Sequence, residues 1–181
     1  MSFIKHANLP DFPVKTAIIG KTDQELLEFV ESFGISVLNT AKNIYIDSAI
    51  SCHADINTLY LGYGKILLDR SQAALADPLK KHGIKVIFAE NHVSGSYPND
   101  CRLNFALLSG KIIGRIDVAD EIIKNMDCFK INVRQGYAKC STCIVNGNAV
   151  ITDDFSIKKA CVENGIDVLL IGKGDSELPG H

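Results

Sequence analysis

No run of apolar residues in this 181-residue sequence approaches the ~20 needed to span a bilayer. Excess charge is missing too. With 19 basic and 21 acidic residues the net charge is −2, so no broad basic face is expected for nucleic acid or anionic lipid. The opening MSFIKHANLPDF has neither the apolar stretch nor the cleavage site of a secretory leader. Cysteine is plentiful, at six, but its spacing is irregular. That favours reduced thiols in a cytosolic protein, with a disulfide pair as the alternative. A second CxxC is absent. Cys140-Ser-Thr-Cys143 therefore has no partner with which to complete a zinc site. It also runs into a strand, where redox CxxC motifs open a helix. No metal and no cofactor is expected. What remains is the profile of a globular protein, 46% apolar and 22% charged, in a single domain over 1–181.

Four segments share a plan. STCIVNGNAVITDDFSIKKACVENGIDVLLIG reads as strand Ser141–Val145, a turn at Asn146-Gly147, strand Asn148–Ile151, a helix capped by Thr152 or Asp153 and ended by Gly165, and strand Ile166–Ile171. NFALLSGKIIGRIDVADEIIKNMDCFKINV repeats it, with a turn at Ser109-Gly110, a helix from about Asp117 and strand Cys128–Val133. TLYLGYGKILLDRSQAALADPLKKHGIKVIFAE turns near Tyr63-Gly64. Its helix is broken by Pro78, recapped by Asp77 and stopped by Gly83 before strand Ile84–Ala89. AIIGKTDQELLEFVESFGISVLNT is shorter: strand, helix, strand, with Thr22 and Glu25 as a capping box. The units run approximately 1–40, 41–91, 92–135 and 136–181. This α/β pattern is ββαβ, which argues against a doubly wound nucleotide fold and for units closing radially like a propeller.

Such a ring gathers the strand starts at one end, and those starts are polar. They carry Cys52, His53 and Asp55, then Asn99 and Asp100, then Lys139 and Cys140. Read as a strand, His53, Asp55 and Asn57 share a face. Asp55 could orient His53 as a general base, and Lys139 or His53 could activate Cys140. Asp55 and Asp100 form the natural carboxylate pair for a planar cation. Asn104 lies inside a strand, where a buried amide needs partners. Equally, His53 reads as a surface histidine at a strand entrance, Cys140 as a semi-buried small residue and Asp100 as a turn former. Cys101, Cys128, Cys143 and Cys161 read as core or near-core, Cys52 as ambiguous. Glu90-Asn91-His92 opens a solvated loop in which His92 is a spare proton carrier. GKGDSELPGH reads as a connector, since no helix follows its glycines.

These residues resemble the pentein fold of the guanidino-group-modifying enzymes, an α/β-propeller of ββαβ units. His53-Ala54-Asp55 is similar to that superfamily's H-x-D pair, and RQGYAKCSTCIV to its nucleophile segment, with Cys140 at the matching place. More narrowly, VKTAIIG, CHADIN, YPND, QGYAKCSTC and DVLLIG resemble an uncharacterised bacterial family of this fold, most familiar from clostridia. The resemblance implies catalytic His53 and Cys140, with Asp55, Asp100 and Asn104 binding a guanidino or related small amide substrate. It implies a hydrolase or amidinotransferase without cofactor. Penteins have five units and four are read here, so the domain is expected to be incomplete at its C-terminus. The family's nucleophile belongs to the last unit, which leaves either Cys140 or a segment beyond His181. The other readings are a non-enzymatic binding module, like the ribosome anti-association factor on this fold, or an inactive truncated member. Exposed strand edges would then favour a homodimer.

Overall fold

Glycines that relieve left-handed backbone mark where each unit turns or stops a helix. Gly34, Gly83 and Gly165, at φ of +74°, +75° and +70°, follow three of the helices. In the computed structural model, which describes Leu9 and residues 13–172, four small sheets follow one another along the chain. The first unit is β1 (Thr16–Ile19), α1 (Gln24–Ser32) and β2 (Ser36–Asn39), with β1 and β2 parallel. The second is α2 (Ala54–Asn57), β3 (Thr58–Gly62), β4 (Lys65–Leu68), a 3-10 turn Arg70–Leu75 running into α3 (Ala76–Lys81), and β5 (Lys85–Phe88). The third is β6 (Ala106–Leu108), β7 (Lys111–Gly114), a 3-10 turn Ile116–Val118, α4 (Glu121–Lys124) and β8 (Phe129–Asn132). The fourth is β9 (Thr142–Asn146), β10 (Ala149–Thr152), α5 (Phe155–Glu163) and β11 (Asp167–Leu170). In units two to four the middle strand pairs antiparallel with its hairpin partner and parallel with the closing strand.

Several local expectations need correction. The cap of α1 is Asp23, not Thr22, and it accepts from the Leu26 amide at 2.8 Å. Asp154, not Thr152 or Asp153, caps α5. Pro78 does not break the second helix. It sits in the first turn of α3, where the missing N–H would have had no helical partner. The third helix starts at Glu121, because Asp120 caps it after the short turn. Asn146-Gly147 does not use the positive φ expected of it; instead the Asn146 side chain accepts from the Asn148 amide at 2.8 Å. Tyr63 and Gly64 do both adopt positive φ. GKGDSELPGH lies, but for Gly172, outside the described residues.

Alternation along the strands gives every sheet two faces, and the helices fill the space between sheets. The 3-10 turn and α3 pack through Leu75 and Leu79 against Ile66, Leu68, Val86 and Phe88 of their own sheet, and against Ile18 and Leu38 of the first. The α4 residues Ile122 and Ile123 lie with Leu107 and Ile112 of their own sheet and Leu59, Leu61 and Leu67 of the second. Helix α5 repeats the arrangement: Ile157 and Cys161 meet Val150 of their own sheet and Ala106, Leu108 and Ile113 of the third. The order is therefore sheet, next unit's helix, next sheet. Each large side chain fully buried here, Phe105 and Leu107 among them, contributes about 1.5–3 kcal/mol. Gly114 is required for space, since a Cβ there would overlap the Phe105 ring.

Three aspartates, two of them fully buried, tie the units together. Asp69 accepts from the Ser71 amide with one oxygen and from Val93 with the other, both at 2.8 Å. Asp120 caps α4 through Ile122 and also takes the Asn91 amide at 2.8 Å. Asp154 caps α5 and receives Gln135. Each carboxylate thus starts a helix and also holds an inter-unit loop, which fixes the loops bearing the polar residues.

Candidate functional site

The polar stretch before β3 is not a strand. His53 is the N-cap of one helical turn, Ala54–Asn57, and the strand begins at Thr58. The expected common face of His53, Asp55 and Asn57 is therefore corrected. The turn forms because Asn57, fully buried, donates to the Ser51 and His53 carbonyls at 3.0 and 2.9 Å. Asn43 donates to Asn57 in turn, at 2.9 Å. Thr58 closes the turn by donating to the Ala54 carbonyl. With Asn57 and Ile56 directed inward, the half-buried Asp55 is left to face across the ring of units.

There it meets Cys140. The Cys140 thiol donates to Asp55 Oδ2 at 2.8 Å. Asn104, fully buried at the start of the third hairpin, holds both partners. Its amide nitrogen donates to the Asp55 carbonyl at 3.1 Å and to Cys140 Sγ at 3.2 Å, and its oxygen accepts from the Lys139 amide at 2.7 Å. Three units thus supply one cluster. Cys140 is exposed as a residue, yet its sulfur is closely surrounded by protein. That burial, then the charge and hydrogen bond of Asp55, push the thiol up to about 12; Asn104 and the Lys139 charge oppose the rise. At rest the pair is a neutral thiol beside a carboxylate.

Asp100 lies in a second, deeper pair. Almost wholly buried, it accepts from Tyr137 Oη at 2.8 Å and from the Cys101 thiol at 3.2 Å. Burial first, and the Asp100 contacts second, raise both Cys101 and Tyr137. Tyr97 closes this layer: its hydroxyl donates to the Arg134 carbonyl and its ring lies 5.6 Å from Tyr137. Gly136 permits the approach, since a Cβ there would press on Cys101 and the Tyr97 ring.

The structure therefore joins Asp55, Asn104 and Cys140 directly and sets Asp100 behind them. The His53 ring has no hydrogen-bond partner among the described residues, and the Cys140 thiol bonds to Asp55 and Asn104 instead. His92 lies 3.6 Å from Asp69. Cys101 and Cys161 are buried and Cys128 packs against the core, whereas Cys143, expected in the core, is exposed. Tyr137 and the Cys101–Asp100 contact escaped sequence reasoning; the aromatic within QGYAKCSTC was the one available signal. No group of three or more metal-binding side chains occurs among the described residues. A cleft of about 390 Å³ lined by Arg115, Asp117, Asn132, Val133 and Arg134 includes neither Asp55 nor Cys140. No described helix is long and apolar enough to cross a membrane.

A family model described as a family of unknown function (DUF6873) matches residues 17–181. The chain belongs to that family. No curated protein sequence matches it. Among solved structures it resembles dimethylarginine dimethylaminohydrolase in an adduct with 4-chloro-2-hydroxymethylpyridine. The TM-score is 0.55 and the identity 14%, over 89% of this chain and 67% of the other. The Pseudomonas aeruginosa enzyme, a cysteine-to-serine mutant complexed with citrulline, matches at TM-score 0.55 and 13% identity, over 94% and 68%. SxtG, an amidinotransferase from Microseira wollei, matches at TM-score 0.52 and 10% identity, over 82% of this chain and 54% of that one. The fold is the propeller-like pentein fold of those proteins.

Proposed function

We propose that the family member described here is a cysteine-dependent hydrolase or amidinotransferase acting on a guanidino or related amidine group, with Cys140 as nucleophile. The observation that carries this reading is the Cys140–Asp55 hydrogen bond, 2.8 Å long between residues 85 positions apart. A guanidinium entering beside Asp55 takes over the carboxylate as a charge-assisted partner. It relieves the negative charge that holds the thiol protonated, and adds a positive one. In this reading the His53 ring, free of hydrogen-bond partners among the described residues, turns toward the cluster when substrate is bound and accepts the thiol proton. The thiolate adds to the guanidinium carbon, and the C–N bond to the leaving amine breaks as the imidazolium returns a proton to that nitrogen. Water, or a second amine, displaces the enzyme sulfur and regenerates the thiol. Asn104 holds both partners in register throughout. The similarity of the fold to guanidino-modifying enzymes supports the substrate class.

The high pKa of Cys140 favours a second reading, a module that binds a guanidinium at Asp55 without turnover. Labelling separates the two. Cationic 2-chloroacetamidine should modify Cys140 much faster than neutral chloroacetamide at pH 7, read peptide by peptide in a mass spectrometer, and Asp55→Asn should erase the preference. Equal rates for both reagents would remove Cys140 as the nucleophile of a guanidino enzyme.

A further inference from the structure

Gly114 and Asn132 lie opposite one another at the C-terminal ends of the parallel strands β7 and β8. Beyond them the chain continues as two segments. One enters the 3-10 turn Ile116–Val118, and the other runs through Val133 and Arg134 toward Cys140. Their residues line the cleft of about 390 Å³, large enough for a small organic ligand. Val133, buried, is its apolar lining residue; Arg115, Asp117, Asn132 and Arg134 are the others. Two guanidiniums against one carboxylate make the cleft positive on a chain of net charge −2. Two of its donors are held in place. Arg115 Nε donates to both Asp117 oxygens, at 3.2 and 3.3 Å, and the guanidinium carbon lies 5.6 Å from the centre of the Tyr97 ring. A guanidinium carries five N–H groups, and the Asp117 pairing uses one. Asn132 Oδ1 accepts from the Ile116 amide at 3.0 Å, which leaves its NH2 group as the open end. Arg134 completes the set. Its carbonyl accepts from the Tyr97 hydroxyl at 3.1 Å, and that hydroxyl accepts in turn from the Gly136 amide at 3.2 Å. The backbone at Arg134 is therefore fixed, yet its guanidinium has no hydrogen-bond or ion-pair partner among the described residues.

We infer that this cleft binds the oxyanion group of a small organic ligand, a phosphate or a carboxylate, between the Arg134 and Arg115 guanidiniums, with the Asn132 amide as a further donor. The planar forks of two arginines match such oxygens, and charge assistance strengthens each hydrogen bond. Asp117 has two effects. It fixes Arg115, and it repels a second negative group, so the part of the ligand beside it is neutral or cationic. Asp55 and Cys140 do not line the cleft. The site is thus separate from the proposed chemistry and stands whether or not Cys140 is a nucleophile.

The probes are inorganic phosphate and acetate, each titrated into the isotope-labelled whole chain at pH 7 and constant ionic strength. Backbone amide and arginine Nε signals are followed by two-dimensional NMR. Saturable shifts should centre on Arg115, Asn132 and Arg134. Arg134→Gln should weaken binding about tenfold, and Arg134→Lys, which keeps the charge but loses the fork, should recover only part of that. Arg115→Gln is the second variant and should also weaken binding; thermal melts monitored by circular dichroism establish that each variant folds. Arg70→Gln is the control. Arg70 lies over the Phe88 ring in the second unit, at 5.9 Å, and its loss should leave binding unchanged. The tighter probe identifies the oxyanion, and either order supports the site. The absence of saturable shifts with both probes overturns the inference. So does saturation that Arg134→Gln and Arg115→Gln leave unchanged, or a loss in Arg70→Gln as large as in Arg134→Gln, which marks unspecific ion binding only.

Discussion

Two aspartate–thiol pairs sit in the same region of this protein and differ in how closed they are. Asp55 meets Cys140 at 2.8 Å, and Asp100 meets Cys101 at 3.2 Å. Both thiols are raised, burial being the first cause in each. The difference lies in what else holds the carboxylate and in access. Asp100 is buried and also bound by Tyr137; Cys101 is buried with it. Asp55 is half-buried, and Cys140 is exposed. The deeper pair is built to stay closed. In the proposed function the outer pair opens when a cation competes for its carboxylate. An aspartate–cysteine contact is thus not reactive by itself; reactivity requires that one partner be released.

The largest expected effect breaks the comparison on the structural side. Asp100→Ala strands the Tyr137 hydroxyl and the Cys101 thiol in the interior and should cost about 2–4 kcal/mol in urea unfolding. Asp55→Ala, at a partly open site, should cost less than about 1 kcal/mol. Equal losses would mean that the two pairs do the same job. The next effect sharpens the chemical side. Asp55→Asn removes the charge that helps hold Cys140 protonated, so alkylation of Cys140 at pH 8 should rise on the order of tenfold. Cys101 in the folded protein should stay unlabelled in both forms.

A third effect is shared by both pairs. Cys140, Cys101 and Tyr137 keep their protons in the fold at pH values where the unfolded chain loses them. Their stabilisation is complete below the unfolded thiol value, ~8.5, and is lost as pH rises toward the folded values. The urea midpoint should fall steadily above about pH 8.5, and less steeply in Cys140→Ala. The smallest effect lies outside the site. Around Asp154, burial opposes ionisation, but hydrogen bonds from Ser156, Ile157 and Gln135 outweigh it and lower its pKa. Asp154→Ala should cost about 1 kcal/mol at neutral pH, and the difference should shrink as pH falls below about 4, where the carboxylate protonates.

The repeats were legible because turn glycines, helix stops and buried strands are local signals. Gly83 and Gly165 announce their helix ends wherever the rest of the chain goes, and TAII and SVLN pair as their composition implies. Cap positions were less legible, since adjacent residues such as Thr22 and Asp23 compete for the same amides. The helical turn at Ala54–Asn57 was hidden because it is held by Asn43 and the Ser51 carbonyl, contacts made by a loop folding back. That turn decides the site, because it sends Asp55 across to Cys140. Cys143 was misplaced for a different reason: alternation identifies a strand face but does not say whether anything covers it. Asn104 was marked as a buried amide needing partners and, through the resemblance, as a substrate contact. That its partners are Asp55 and Cys140 follows from the packing of three units, which no local pattern encodes.

The central claim is that a guanidinium at Asp55 converts the resting thiol into a nucleophile. Its most direct test is the pKa of Cys140, followed by thiolate absorbance near 240 nm as the difference between the wild-type chain and Cys140→Ala. The titration is run with and without methylguanidinium at a non-denaturing concentration. The account predicts a value near 12 without the cation, lowered when the cation is bound and insensitive to it in Asp55→Asn. A titration unchanged by methylguanidinium in the wild-type protein would contradict the account.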